Sequence, residues 1–164
     1  MTLRFGILTV SDRSARGERP DASGPALVER VQAEGWEVAV QAIVPDDAET
    51  LRARLAGWAD DGKVDVILTT GGTGFAPRDV TPEATRAVID REAPGLAEAM
   101  RLASAAKSRH AMLSRAIAGL RGRVLIINLP GSPRAAVENL ETVLPALEHA
   151  VQLLHEDPGA EAGH

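Results

Sequence analysis

From Val66 to Asp79 the chain reads VILTTGGTGFAPRD, an apolar run that ends in glycines packed around Thr73. Gly71, Gly72 and Gly74 permit positive φ and let backbone N–H groups approach a ligand with no Cβ in the way. Successive amides of that kind form an anion nest. No Lys-Ser/Thr pair follows, so the loop is not a Walker A motif, and its spacing is not G-x-G-x-x-G. Taken alone it reads first as a tight strand-to-helix turn. Asp79 stands shortly after Gly74, and Asp46 follows an earlier strand-like run. If those two strand ends meet, a pair of carboxylates flanks the nest, a geometry suited to holding Mg2+ against a triphosphate. Each aspartate has a second reading: Asp46 as a helix cap, Asp79 as a partner of Arg78 or a cap of its own turn.

Positioning these groups requires a sheet. Strand-like runs at Phe5–Val10, Glu37–Val44, Val64–Thr70 and Val124–Leu129 alternate with amphipathic stretches. That order predicts a single three-layer α/β/α domain around a mostly parallel sheet. Helices are expected over Pro25–Glu34, with Pro25 first, and over Ala48–Asp60, led by Asp46 with Glu49 as its capping-box partner. A third starts at Thr81-Pro82-Glu83 with Thr81 as N-cap, a fourth spans Gly95–Ala105, and Ser132-Pro133 opens the last, which runs toward Leu154. Ala106–Gly122 shows no clear period, with a strand expected near Leu113–Ala118. The domain is expected to span 1–155, followed by a loose tail over 156–164.

In such a sheet, ligands gather at the carboxyl ends of the strands. There fall SDRSARGERPDASG, PDD, TTGGTGFAPRD and NLPGSPR, four polar loops facing one mouth. Asp12 and Arg13 sit in the first, where Arg13 either faces the mouth or pairs with Asp12.

Composition narrows the chemistry. The chain of 164 residues contains no cysteine, which excludes disulfides, thiolate metal sites and cysteine nucleophiles. A net charge of -5 and aromatics limited to Phe5, Phe75, Trp36 and Trp58 argue against nucleic-acid binding. Lys63 and Lys107 are the sole lysines, so phosphate chemistry must rest on arginine, backbone amides or metal. No apolar run would span a bilayer, and MTLRFGILTVSDR reads as a first strand, which predicts a cytoplasmic protein with no membrane partner. His110 is expected as a surface or interface residue, and His149 and His155 lack metal-ligand spacing. Trp36 and Trp58 are expected as core or interface anchors, and Glu92 and Glu98 on solvated faces.

The residues carry a family resemblance. VILTTGGTGFAPRD resembles the signature of the molybdenum-cofactor biosynthesis domain: an aliphatic pair, Ser/Thr-Gly-Gly-Ser/Thr-Gly, four residues and Asp. More narrowly, LTVSDR, SGPAL, VPDD, RDVTPEAT, DREAPGLAEAMR, LSRAIAG and LPGSP resemble segments of molybdopterin adenylyltransferases, the MogA/MoaB group that includes the G domain of gephyrin. The likeness covers nearly all of the chain to about Leu154.

The resemblance implies transfer of AMP from ATP to the terminal phosphate of molybdopterin, with release of pyrophosphate. It implies Asp46 and Asp79 as catalytic residues acting through Mg2+, and Gly71, Gly72, Thr73 and Gly74 as the nucleotide-phosphate loop. Ser114, Arg115, Pro130, Gly131 and Ser132 match segments lining the pterin and nucleotide pocket. It further implies a homotrimer or hexamer and handover of product to a molybdenum insertase. Some MoaB-type members lack the acidic pair, whereas this chain has both aspartates. The alternatives are a non-catalytic molybdopterin-binding paralogue and a nucleotide pyrophosphatase similar to the CinA-associated domain. LSRAIAG and LPGSP weigh against the second.

Overall fold

The computed structural model describes residues 1–163. Six strands form one sheet: β1 (Arg4–Val10), β2 (Glu37–Val44), β3 (Val66–Thr70), β4 (Arg91–Glu92), β5 (Ala118–Arg121) and β6 (Val124–Leu129), in the order β2-β1-β3-β6-β5-β4. The first four in that order run parallel, and β5 and β4 add an antiparallel edge. Every residue of β3 and β6 is buried, as parallel strands covered on both faces must be.

Alternation along the strands sends side chains into two cores. Phe5, Ile7, Leu68 and Ile127 pack under α2 (Ser23–Ala33), α5 (Pro94–Ala105) and α6 (Pro133–Leu154). Leu8, Ile67 and Ile126 pack under α3 (Ala48–Asp60) and α4 (Thr81–Val88) on the other face. The expected three-layer domain is therefore present. Trp36 stacks on Phe5 with ring centroids 5.4 Å apart, and Trp58 is buried over Gly6, so both tryptophans are core anchors.

Several expectations shift. The run expected from Val64 becomes strand at Val66, although the Asp65 N–H already donates to Arg4 O and its C=O accepts from Leu125 N. α2 begins at Ser23, two residues before Pro25, because Asp21 Oδ1 accepts from Gly24 N at the entry to the helix. α5 begins at Pro94 rather than Gly95. The strand expected near Leu113–Ala118 lies at Ala118–Arg121, preceded by a 3-10 helix over Arg109–Leu113. It pairs with β6 through a tight turn at Gly122, whose φ is +54°. Residues 158–163 form a further 3-10 helix with Ala160 buried; His164, the last residue of the expected tail, lies outside the described residues. Among the described residues no helix is long and apolar enough to cross a membrane.

Two buried polar groups tie the sheet together. Asn128, near the carboxyl end of β6, donates to the hydroxyls of Thr69 (3.0 Å) and Thr85 (2.9 Å) and accepts from Ile117 N. At the opposite end of the strands Asp65 accepts from the Arg4 backbone N–H and from its guanidinium at two atoms. Burial pushes the Asp65 carboxyl up, but the Arg4 contacts outweigh it and hold the group below its ordinary value. A lowered folded value means stability that is complete above the ordinary carboxyl range and is lost as pH falls through it. Asp65→Asn is expected to cost about 2 kcal/mol in urea unfolding at pH 7, and the loss of stability between about pH 5 and 3 should be smaller in the variant than in the wild type.

Candidate active site

The carboxyl ends of β1, β2, β3 and β6 open into a cleft of 750 Å³ lined by residues of all four following loops, among them Ser11, Asp46, Gly72, Asp79 and Ser132. After β1 the chain passes to α2 on one face, and after β3 to α4 on the other. The cleft thus lies where the connections diverge, the usual ligand position in such sheets.

The two close approaches at its floor dictate glycine. Gly71 (φ +104°) would place a Cβ 2.3 Å from the Val10 carbonyl oxygen, and Gly72 (φ +70°) would place one 2.3 Å from Thr81 Oγ1 and 3.1 Å from Asp46 Oδ1. The Gly71 N–H donates to Leu129 O, so its part is to let strand ends meet, and any anion contact from this loop falls to the amides after it. Thr81 does not cap α4 as expected. It occupies the first turn, where its N–H donates to Gly72 O and its hydroxyl donates to Gly71 O, fastening the loop to the helix.

Asp46 and Asp79 are brought to the same loop. Asp47, rather than Asp46, caps α3 by accepting from Thr50 N, which leaves Asp46 turned toward the cleft. Asp46 Oδ2 accepts from Asp12 N at 2.9 Å, and its Oδ1 is the atom facing Gly72. Burial raises the Asp46 carboxyl above its ordinary value, helped by the nearby charges of Asp12 and Asp79. Asp79 does cap its own turn: its Oδ2 accepts from Ala76 N at 3.0 Å and lies 2.9 Å from where a Cβ on Gly74 would stand. Arg78 pairs with Asp12 and not with Asp79, so the pairing left open for Arg13 is taken by Arg78 instead. Among the described residues no three His, Cys, Asp or Glu side chains could together hold a metal. Two aspartates whose protein hydrogen bonds fall on Oδ2 fit Mg2+, which is held by one or two carboxylates and completes its shell with water and substrate phosphates.

The remaining expected residues divide between two clefts. Gly131 backs onto Gly71, with room for a Cβ only at 3.3 Å from its Cα, and Ser132 caps α6, accepting from Ala135 N. Thr73, Gly74, Ser114 and Pro130 line a second cleft of 420 Å³ on the far side of the glycine loop, with Arg101 and Lys107 at its wall. Arg115 is anchored to the glycine loop. Its guanidinium donates to Gly74 O (2.7 Å) and Asp79 O (2.8 Å), pairs with Glu83, and its backbone N–H donates to Thr73 O, so it grips the glycine loop from behind.

Asp21, which the sequence does not single out, also lines the first cleft, accepting from the Thr9 hydroxyl at 2.8 Å. Its one signal is its place as an aspartate just ahead of the Gly24-Pro25 helix start, which reads as loop. Gly72→Ala is expected to lower stability by about 2 kcal/mol, from left-handed strain and the Thr81 clash. Gly57→Ala, which meets open space in α3, should raise it by about 0.5–1 kcal/mol. Urea denaturation of the two variants side by side checks both.

The family described as "Probable molybdopterin binding domain" matches residues 6–149. Among curated relatives, gephyrin of Dictyostelium discoideum is 44% identical over 93% of this chain, which spans only 23% of that protein's length. A molybdopterin adenylyltransferase of Helicobacter pylori is 41% identical over 93% of this chain and 88% of its own. Among solved structures, the molybdopterin biosynthesis enzyme MoaB of Thermus thermophilus superposes with a TM-score of 0.90 at 54% identity, over 96% of this chain and 99% of that one. With a match that runs from β1 to α6 and a shared fold, the chain belongs to the molybdopterin-binding-domain family.

Proposed function

We propose that the protein is a molybdopterin adenylyltransferase, which transfers AMP from ATP to the terminal phosphate of molybdopterin and releases pyrophosphate. One observation carries the reading: Asp46 and Asp79 converge on a glycine loop in a chain that spans 88% of a relative bearing that name. The triphosphate occupies the first cleft, against the amides that follow Gly71 and the Ser132-capped start of α6, where helix N–H groups favour an anion. Molybdopterin occupies the second, with its phosphate drawn by Arg101 and Lys107.

The reaction asks little of acid–base groups. A phosphate oxygen of molybdopterin attacks the α-phosphorus, the new P–O bond forms, and the bond from that phosphorus to the bridging oxygen breaks to release pyrophosphate. The nucleophile is already an anion, so positioning and charge neutralisation dominate. Mg2+ held by Asp46 and Asp79 supplies the neutralising charge when bound. The chain's own residues hold that ion, cradle the phosphates without side-chain obstruction, and keep the two substrates on opposite sides of one loop. Thr73 and Gly74 belong to the wall between them, and Arg115 sets its curvature.

The reading extends to a cytoplasmic homotrimer or hexamer that hands its product to a molybdenum insertase, with no nucleic-acid or membrane partner. Its test is ATP- and Mg2+-dependent formation of adenylylated molybdopterin, followed by chromatography and mass. Wild type is expected to form product, and Asp79→Asn and Asp46→Asn to lose about 10³-fold in rate. Retained molybdopterin binding with no product from the wild type would leave the binding-only paralogue.

A further inference from the structure

We propose that Asp12 and Arg78 are positioning residues that set Asp46 in register with Asp79; this rests on the adenylyltransferase reading and its metal-holding pair. Asp12 and Asp46 are joined reciprocally. The Asp12 N–H donates to Asp46 Oδ2 (2.9 Å) and the Asp46 N–H donates to Asp12 Oδ1 (3.0 Å). Each aspartate thereby fixes the backbone of the other, linking the loop after β1 to the loop after β2 with the Asp46 side chain in one orientation. Ser11 N donates to Val44 O just beneath them, so the two loops are pinned as a unit.

That unit is held by the third loop. Arg78 donates through Nε to Asp12 Oδ2 and through Nη2 to Asp12 Oδ1, both at 2.8 Å, the two-pronged geometry that only a planar guanidinium supplies. Both carboxylate oxygens of Asp12 are thereby engaged by Arg78, and Oδ1 also accepts from Asp46 N. Arg78 is also the residue before Asp79. A continuous path therefore runs from the Asp79 backbone through Arg78 and Asp12 to the Asp46 carboxylate, joining two groups that reach the cleft from different strands. The Arg78 side chain is 65% exposed, so the pair contributes little to overall stability, and its consequence lies in where Asp46 points.

Outer partners of metal-holding side chains commonly change metal affinity by about 10–100-fold. The test measures Mn2+ binding by electron paramagnetic resonance in the presence of α,β-methylene ATP, for wild type, Arg78→Ala, Arg78→Lys, Asp12→Ala and the double variant Asp12→Ala/Arg78→Ala. Each alanine variant is expected to weaken Mn2+ binding about 10-fold, with the double variant no weaker than either single and Arg78→Lys failing to restore the wild-type value. Thermal midpoints should move little, which separates positioning from loss of fold. Wild-type Mn2+ affinity in Arg78→Ala, or additive losses in the double variant, would overturn the proposal while leaving the adenylyltransferase reading intact. Absence of a Mn2+–nucleotide complex with the wild type itself would overturn both.

Discussion

A Cβ at position 71 would stand 2.3 Å from the Val10 carbonyl oxygen, and the whole mouth of this sheet depends on there being none. The ends of β1 and β3 can lie side by side only because the backbone at Gly71 adopts positive φ and carries no side chain. Gly131 closes from the third side against the same residue. Three strand ends are thereby brought to van der Waals contact, and the loops that leave them have no choice but to share a cleft. Thr70 and Thr81 complete the arrangement by donating hydroxyl protons to Pro130 O and Gly71 O, so the junction is closed by hydrogen bonds rather than left as strained chain.

Arginine does in this molecule what lysine could not. With lysine nearly absent, the fixed points of the polar framework are guanidinium forks: Arg4 on Asp65, Arg78 on Asp12, Arg121 on Asp60, and Arg115 on the carbonyls of the glycine loop. A fork donates along two directions at once and so fixes orientation as well as distance. Arg101 holds the next segment through a single nitrogen, Nη1, which donates to Ala116 O at 2.7 Å and to Ser114 O at 3.4 Å. The wall between the two clefts is consequently braced by the Arg115 guanidinium, which donates to the carbonyls of Gly74 and Asp79.

The electrostatics of the first cleft follow from that division. Asp12, Asp21, Asp46 and Asp79 reach one mouth in a chain whose net charge is -5, an unpromising surface for a bare polyphosphate. Arg78 cancels one of these charges, and hydrogen bonds from Thr9 and Gly24 absorb another. What remains is a pair of carboxylates beside a loop of bare amides, which suits an anion that arrives with a divalent cation and disfavours one that arrives alone.

Composition and spacing by themselves determined the three-layer class, the four parallel strands and the polar loops at their carboxyl ends. Hydrophobic runs of strand length and glycines after a strand are local signals that packing did not override. The antiparallel edge was not legible, because β4 is two residues long and the turn at Gly122 is flanked by arginines rather than by apolar alternation. Nor could spacing assign the aspartates. Asp46 and Asp47 are adjacent acids before a helix, and either could have been its cap. Only the tertiary structure decided that Asp47 takes Thr50 N and that Asp46 meets Asp12. The same holds for Arg115, whose sequence neighbours place it by a ligand pocket, and whose partners Gly74 and Asp79 lie far away in the chain. A hydrogen bond between residues distant in sequence has no local periodicity to betray it, so side-chain roles emerged only when the strands brought their loops together.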